Sequence, residues 1–171
     1  MIEFLLTVPI VFSLVLALLE FSVLFVQIQR VSALSREAAN AAFRDCSTLS
    51  NDPTPQLDAC IDGILNPISQ GGASILSNFA ANGTLIVSIY QNGPVLVTQR
   101  TVGGGGYFSQ YPGRPIDANL IPPPGLPVNG VIPPLTRIAI GEAFYTYTPL
   151  TIVGTLLGFA LPGNLYETTI Y

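Results

Sequence analysis

The stretch FLLTVPIVFSLVLALL (residues 4–19) carries no charge, and beyond Glu20 the apolar pattern resumes with FSVLFV (residues 21–26). Read as one helix, residues 4–26 extend about 35 Å, enough to cross the hydrocarbon core of a bilayer. The competing reading is a secretory signal peptide, which needs a basic start, a shorter apolar core and a small-residue cleavage site. The chain opens Met1-Ile2-Glu3, with an acid where a cation belongs, so a retained membrane segment is expected.

The helical pattern does not stop at Val26. QIQRVSALSREAANAAFRDC (residues 27–46) contains no Gly or Pro, and Ile28, Val31, Leu34, Ala38, Ala41 and Ala42 recur at helical spacing. One helix over residues 3–46, about 65 Å long, is predicted. Its first half, residues 1–28, is apolar all round and suits lipid or a helical bundle. Residues 29–46 have one apolar face and one bearing Arg30, Arg36, Glu37 and Arg44, a division that suits packing on a globular domain.

Three residues disturb the apolar segment. Glu20 lies inside it, where a carboxylate costs a few kcal/mol unless it finds a partner or a function. Placement at the membrane interface, near Gln27, is the plainer account. Glu3, at the helix N-terminus, favours the helix dipole and is suited to neutralise the terminal amine of a neighbouring chain. Pro9 removes one helical hydrogen bond and is expected to kink or locally open the helix. Arg30, Arg36 and Arg44 all follow the apolar run, which by the positive-inside rule keeps the remainder in the cytoplasm. A short basic leader removed during maturation would reverse that orientation.

The remainder, residues 47–171, reads as an extracytoplasmic α+β domain. Cys46 and Cys60 are the only cysteines. On one continuous helix they would stand about 21 Å apart, so a disulfide needs the chain to reverse, and NDPTPQ (residues 51–56) supplies the turn, with Thr54 as N-cap and Pro55 at the first helical position. Two free buried thiols in a reducing compartment are the alternative. Leu57, Ile61, Ile64, Leu65 and Ile68 line one face of a short second helix. TLIVSIY (residues 84–90) and VLVTQRTV (residues 95–102) form a hairpin turning at Asn92-Gly93. Residues 103–134 are rich in Gly and Pro, which excludes regular helix and central strand. They form a long ordered excursion or a mobile surface loop, and the GGGG at its start lacks the context of a phosphate loop. Residues 136–147 and 164–171 return to strand. The apolar PLTIVGTLLGFALPG between them reads as a packed connection or short helix over the sheet edge, and as a possible subunit contact. Asn82-Gly83-Thr84 is a glycosylation sequon, though Asn-Gly at a turn already accounts for it.

Composition narrows the function. Of 171 residues only 9% are charged, against about 25% in ordinary soluble domains. All six cations are Arg, and the net charge of −4 argues against a nucleic-acid partner. Without His there is no Ser-His-Asp or Cys-His catalysis and no imidazole metal site. Asp45, Asp52, Asp58, Asp62, Asp117 and Glu142 form no recognisable acid/base pair. No enzyme activity, cofactor or metal is expected.

A long helix, apolar and then amphipathic, carrying a small β-rich domain is the layout of type IV pilins. Glu3-Phe4, Pro9, Glu20-Phe21 and Ser35-Arg36-Glu37-Ala38-Ala39 resemble the opening of TadE-like proteins, the pilin-like components of tight-adherence pili. Tyr145-Thr146-Tyr147-Thr148-Pro149-Leu150, an apolar stretch and a closing strand resemble that family's ending. The glutamate stands third from Met1, nearer the start than in type IV pilins generally. The resemblance implies a non-enzymatic subunit, resident in the inner membrane and then extracted into an extracellular, adhesive helical filament of copies of itself. Its partners would be those copies and the inner-membrane assembly machinery. Glu3, Phe4, Pro9, Phe12, Glu20 and Phe21 would be the subunit-interface residues. A minor or tip pseudopilin, or a membrane-anchored assembly factor, needs the same helix. An adhesin module that binds surfaces through Tyr107 and Tyr111 is a further alternative.

Overall fold

The computed structural model describes residues 2–46, 55–91, 95–111, 137–156 and 161–171. The expected turns at Thr54 and at Asn92-Gly93, and most of the excursion over 103–134, lie outside the described residues. Helix α1 (Ile2–Cys46) is one continuous run of 45 residues. It continues as helix through Pro9, and Ser13 Oγ donates to the Pro9 carbonyl at 2.8 Å. Burial along α1 begins at Glu20 and Leu24 and continues through Val31, Leu34, Ser35, Ala38, Ala39, Ala42 and Cys46. That spacing is one helical face.

Helix α2 (Pro55–Ile75) turns back along α1 and buries Leu57, Ile61, Leu65 and Ile68, four of the five residues expected on its apolar face. Ile64 packs at the margin. The helix is longer than the short one expected: it continues seven residues beyond Ile68, to Ile75, with Pro67 inside it. Arginines cap both helices from outside. Arg30 of α1 donates to the Ile75 carbonyl at the end of α2, and Arg137 Nη1 lies 3.4 Å from the Cys46 carbonyl at the end of α1. A cation at a helix C-terminus complements both the free carbonyls and the dipole.

After the single-turn helix α3 (Phe79–Asn82) come strands β1 (Gly83–Gln91) and β2 (Val95–Val102). β3 (Arg137–Thr146), the short helix α4 (Ile152–Leu156) and β4 (Asn164–Ile170) complete the chain. The sheet order is β2-β1-β3-β4 and every neighbouring pair is antiparallel. The fold is α+β and pilin-like: a long N-terminal helix, a second helix and an antiparallel sheet.

The inner face of the sheet carries Leu85, Val87, Ile89, Ala139, Ala143, Tyr145 and Leu165 onto α1 and α2. Helix α1 crosses β3 at Gly141. A Cβ there would stand 2.5 Å from the Ser35 carbonyl and 2.9 Å from Ala39 Cβ, so no larger residue allows the helix to lie this close. Ser35 Oγ uses the proximity, donating to the Gly141 carbonyl at 2.9 Å and lying 3.0 Å from Thr169 Oγ1.

On the outer face, residues 103–111 cross the sheet. The Tyr107 ring stacks on Phe144 at 5.1 Å, and its hydroxyl bonds Thr146 and Asn164, each at 2.6 Å. The buried Glu142 carboxylate accepts from Ser109 Oγ, from the Gln110 N–H at 2.8 Å and from the Tyr166 hydroxyl at 3.1 Å. Partial burial and the neighbouring Glu142 hold the Tyr166 phenol above its ordinary range. The start of the excursion is thus ordered across this face.

Between α2 and β2, Arg100 Nε donates to Asp62 Oδ1 at 2.8 Å and Nη2 binds the other oxygen. The Arg100 hydrogen bonds hold the Asp62 carboxyl below its usual value. A depressed folded-state value means that this stabilisation is present above the unfolded carboxylate pKa, about 3.9, and is lost as pH falls through the folded one. Asp62→Asn is therefore expected to flatten the fall in stability below about pH 4. The effect is small and salt-sensitive, because the pair is half-exposed. An unchanged acid limb in a pH series of urea unfolding would count against it.

Candidate functional site

Two features stand out at the N-terminal end of the fold. The first is the outward surface of α1. Val8, Ile10, Val11, Phe12, Leu14, Val15, Leu18, Leu19, Phe21, Phe25 and Val26 are all exposed, and the most apolar 18-residue window of this helix is only 11% buried. Among the described residues this is the one helix long and apolar enough to cross a membrane. Pro9, Phe12 and Phe21 lie on this exposed length. Glu3 and Phe4 belong to the first turns of α1.

The second feature is Glu20, only 1% exposed although it sits in the apolar run. Its Oε1 accepts from the Tyr147 hydroxyl and from the Leu150 N–H at 2.9 Å. Its Oε2 accepts from the Thr151 N–H at 3.0 Å and the Thr151 hydroxyl at 2.8 Å. A carboxylate offers about four acceptor positions, and here four donors fill them. The Thr151 hydroxyl in turn accepts the Gly154 N–H at 2.9 Å, so one side chain caps α4 and also binds Glu20. Gly154 lies directly on the carboxylate, where a Cβ would stand 2.4 Å from its carbon.

Glu20, expected among the interface residues, is therefore saturated inside its own chain. The cost of a carboxylate in an apolar setting is met by donors from residues 147–151. The described part of the connection after β3 contains the short helix expected there, α4, and it lies on α1, where Glu20 accepts from the Leu150 and Thr151 N–H groups. Periodicity on α1 reveals none of these donors, which stand 127 to 131 residues away.

At the other end of α1 a disulfide joins Cys46 and Cys60, with Cα atoms 6.0 Å apart. Asn82 ends α3 and is half-buried. Tyr107, considered as a surface-binding tyrosine, is committed to the outer sheet face. Tyr111 packs against Tyr90, Ile138 and Ile140 and accepts the Tyr90 hydroxyl on its carbonyl at 2.6 Å. Among the described residues no group of three or more Cys, Asp and Glu gathers in a metal-holding arrangement.

The family model described as TadE-like protein matches residues 1–40. The match covers the exposed apolar surface of α1, Glu20, and the Ser35 to Ala39 segment that seats α1 on β3, and it agrees with the resemblance read from the sequence. No curated protein and no solved structure matches the chain.

Proposed function

We propose that the chain is a structural subunit of a Tad-type, type IV pilus-like adhesive filament. It resides in the inner membrane through α1 and then packs through the same helix into the core of an extracellular polymer. The observation that supports this reading most is the division of α1. From Val31 to Cys46 its apolar face is covered by the chain's own domain, while between Val8 and Val26 most large apolar side chains are exposed and Leu24 is the buried exception. An uncovered apolar surface of this extent needs lipid or other helices. Exchanging one for the other exposes nothing to water, so extraction into a helix bundle is physically permitted.

In this reading residues 1–28 line the membrane and then the filament core, and residues 29–46 join that half to the domain of residues 47–171. Phe4, Pro9, Phe12 and Phe21 lie at the subunit contacts, and Glu3 meets the N-terminus of a neighbouring copy. Glu3→Ala is expected to leave membrane insertion intact. It should lower filament yield about tenfold, the effect of losing about 1.4 kcal/mol per contact. Equal yield in sheared fractions would remove that role for Glu3.

Intact mass spectrometry of the material released by shearing the cells tests the reading as a whole. An abundant species of this chain there, lighter by two hydrogens, supports an exported, disulfide-closed filament subunit. The chain confined to the membrane fraction would identify an anchored assembly factor instead.

A further inference from the structure

Leu150, Ile152 and Leu156, in and beside α4, are 69%, 80% and 71% exposed. Beyond α1, Phe108 is the one other large apolar side chain among the described residues that is more than two-thirds exposed. The segment is held in this orientation. Its polar atoms, the Leu150 and Thr151 N–H groups and the Thr151 hydroxyl, turn inward onto Glu20. Gly154, buried on the Glu20 carboxylate, leaves no room for the segment to rotate. The aliphatic side chains therefore point away from the protein.

Their level along α1 indicates what receives them. Glu20 lies six residues before Val26, the end of the apolar run. The contact is thus about 9 Å below that end along the helix axis. Apolar elements that ride the boundary between headgroups and acyl chains sit about 5–10 Å deep.

We infer that, in the membrane-resident chain, residues 147–156 form an interfacial wedge that enters the outer acyl region of the bilayer beside α1. Leu150, Ile152 and Leu156 supply the apolar contact, and Glu20 supplies the internal ligand that satisfies the wedge's polar backbone. The occupant is the lipid surface, because the segment is seated on α1 at Glu20, at the level of the exposed Leu18, Leu19 and Phe21. The domain is then held against the membrane at two places, by the helix and by the wedge. This inference rests on the membrane-resident state proposed above and is independent of polymerisation.

The chain contains no Trp, so a single introduced Trp reports without background. The full chain, carrying Ile152→Trp or Leu156→Trp, is placed in phosphatidylcholine vesicles whose lipids are brominated near the headgroup end of the acyl chain. Both variants are expected to lose fluorescence about twofold, as a residue at the acyl boundary does. Phe108→Trp should be quenched by aqueous iodide instead, and Phe12→Trp reports whether α1 is in the bilayer. If Ile152→Trp and Leu156→Trp respond to iodide and not to brominated lipid while Phe12→Trp responds to lipid, the wedge is wrong and the membrane-resident helix stands. If both are shielded from iodide and lipid alike, a second copy covers the patch, which equally overturns the inference. If Phe12→Trp also fails to respond to lipid, the membrane-resident state itself falls, and the wedge with it.

Discussion

Glu20→Ala is expected to release residues 147–156 from α1 while leaving the sheet intact. The substitution strands the Tyr147 hydroxyl, the Leu150 and Thr151 N–H groups and the Thr151 hydroxyl, all of which donate to this one carboxylate. Each buried donor without a partner costs about 1–3 kcal/mol, and water entering the vacated space recovers part of the total. A net local loss of about 3 kcal/mol corresponds to roughly hundredfold faster hydrogen exchange at the Leu150 and Thr151 amides. Amides of β1 and β3 should keep their protection. Glu20→Gln retains one acceptor oxygen and turns an NH2 group toward the remaining donors, so it should fall between the two. Gly154→Ala should act in the same direction without removing the charge, since its Cβ would run into the carboxylate. Unchanged exchange at Leu150 and Thr151 in Glu20→Ala would show that the carboxylate does not hold the segment.

Cys46→Ser should weaken the whole domain. The bridge closes a loop with a sequence separation of 14, which on the chain-entropy account contributes about 3 kcal/mol. With a urea dependence of about 1.5 kcal/mol per molar, the unfolding midpoint followed by circular dichroism should fall by about 2 M. Cys60→Ser should give the same fall, and the double variant no further loss, because either change opens the same loop. A native protein whose midpoint is indifferent to reductant would contradict the assignment of stability to this bridge.

The elements of this fold were legible because each is written in a local period. The four strands follow from β-branched and aromatic runs, and α1 from the unbroken helical pattern across Val26 and Gln27. Long-range partnership is written in no such period. Pairing β3 between β1 and β4 depends on which apolar faces meet once α1 is laid down. The crossing of α1 over β3 depends on Gly141, whose signal in the sequence is a glycine set inside an otherwise regular strand pattern.

Glu20 was legible as an anomaly and not as a structure. A carboxylate in an apolar run announces that it needs donors. Two of the four donors are backbone N–H groups, which every residue but proline carries and no sequence distinguishes. Thr151 and Tyr147 were the visible clue, as hydroxyls inside a segment that otherwise reads as apolar filling. The far end of α2 is hidden as well, because beyond Ile68 the residues to Ile75 carry no continued apolar period.

The continuity of α1 has a mechanical consequence. Its backbone is one helix from the first turn to Cys46, short of the one hydrogen bond that Pro9 cannot donate, and at Cys46 a covalent bond passes into α2. Between those ends Ser35, Ala38 and Ala39 seat it on β3, a strand bonded on both sides. A pull along the axis of the apolar half therefore reaches the domain through Glu20, then the Ser35 seat, then the disulfide. Helix and domain are thereby coupled, so that tension along α1 is passed to β3 through this seat and to α2 through the disulfide.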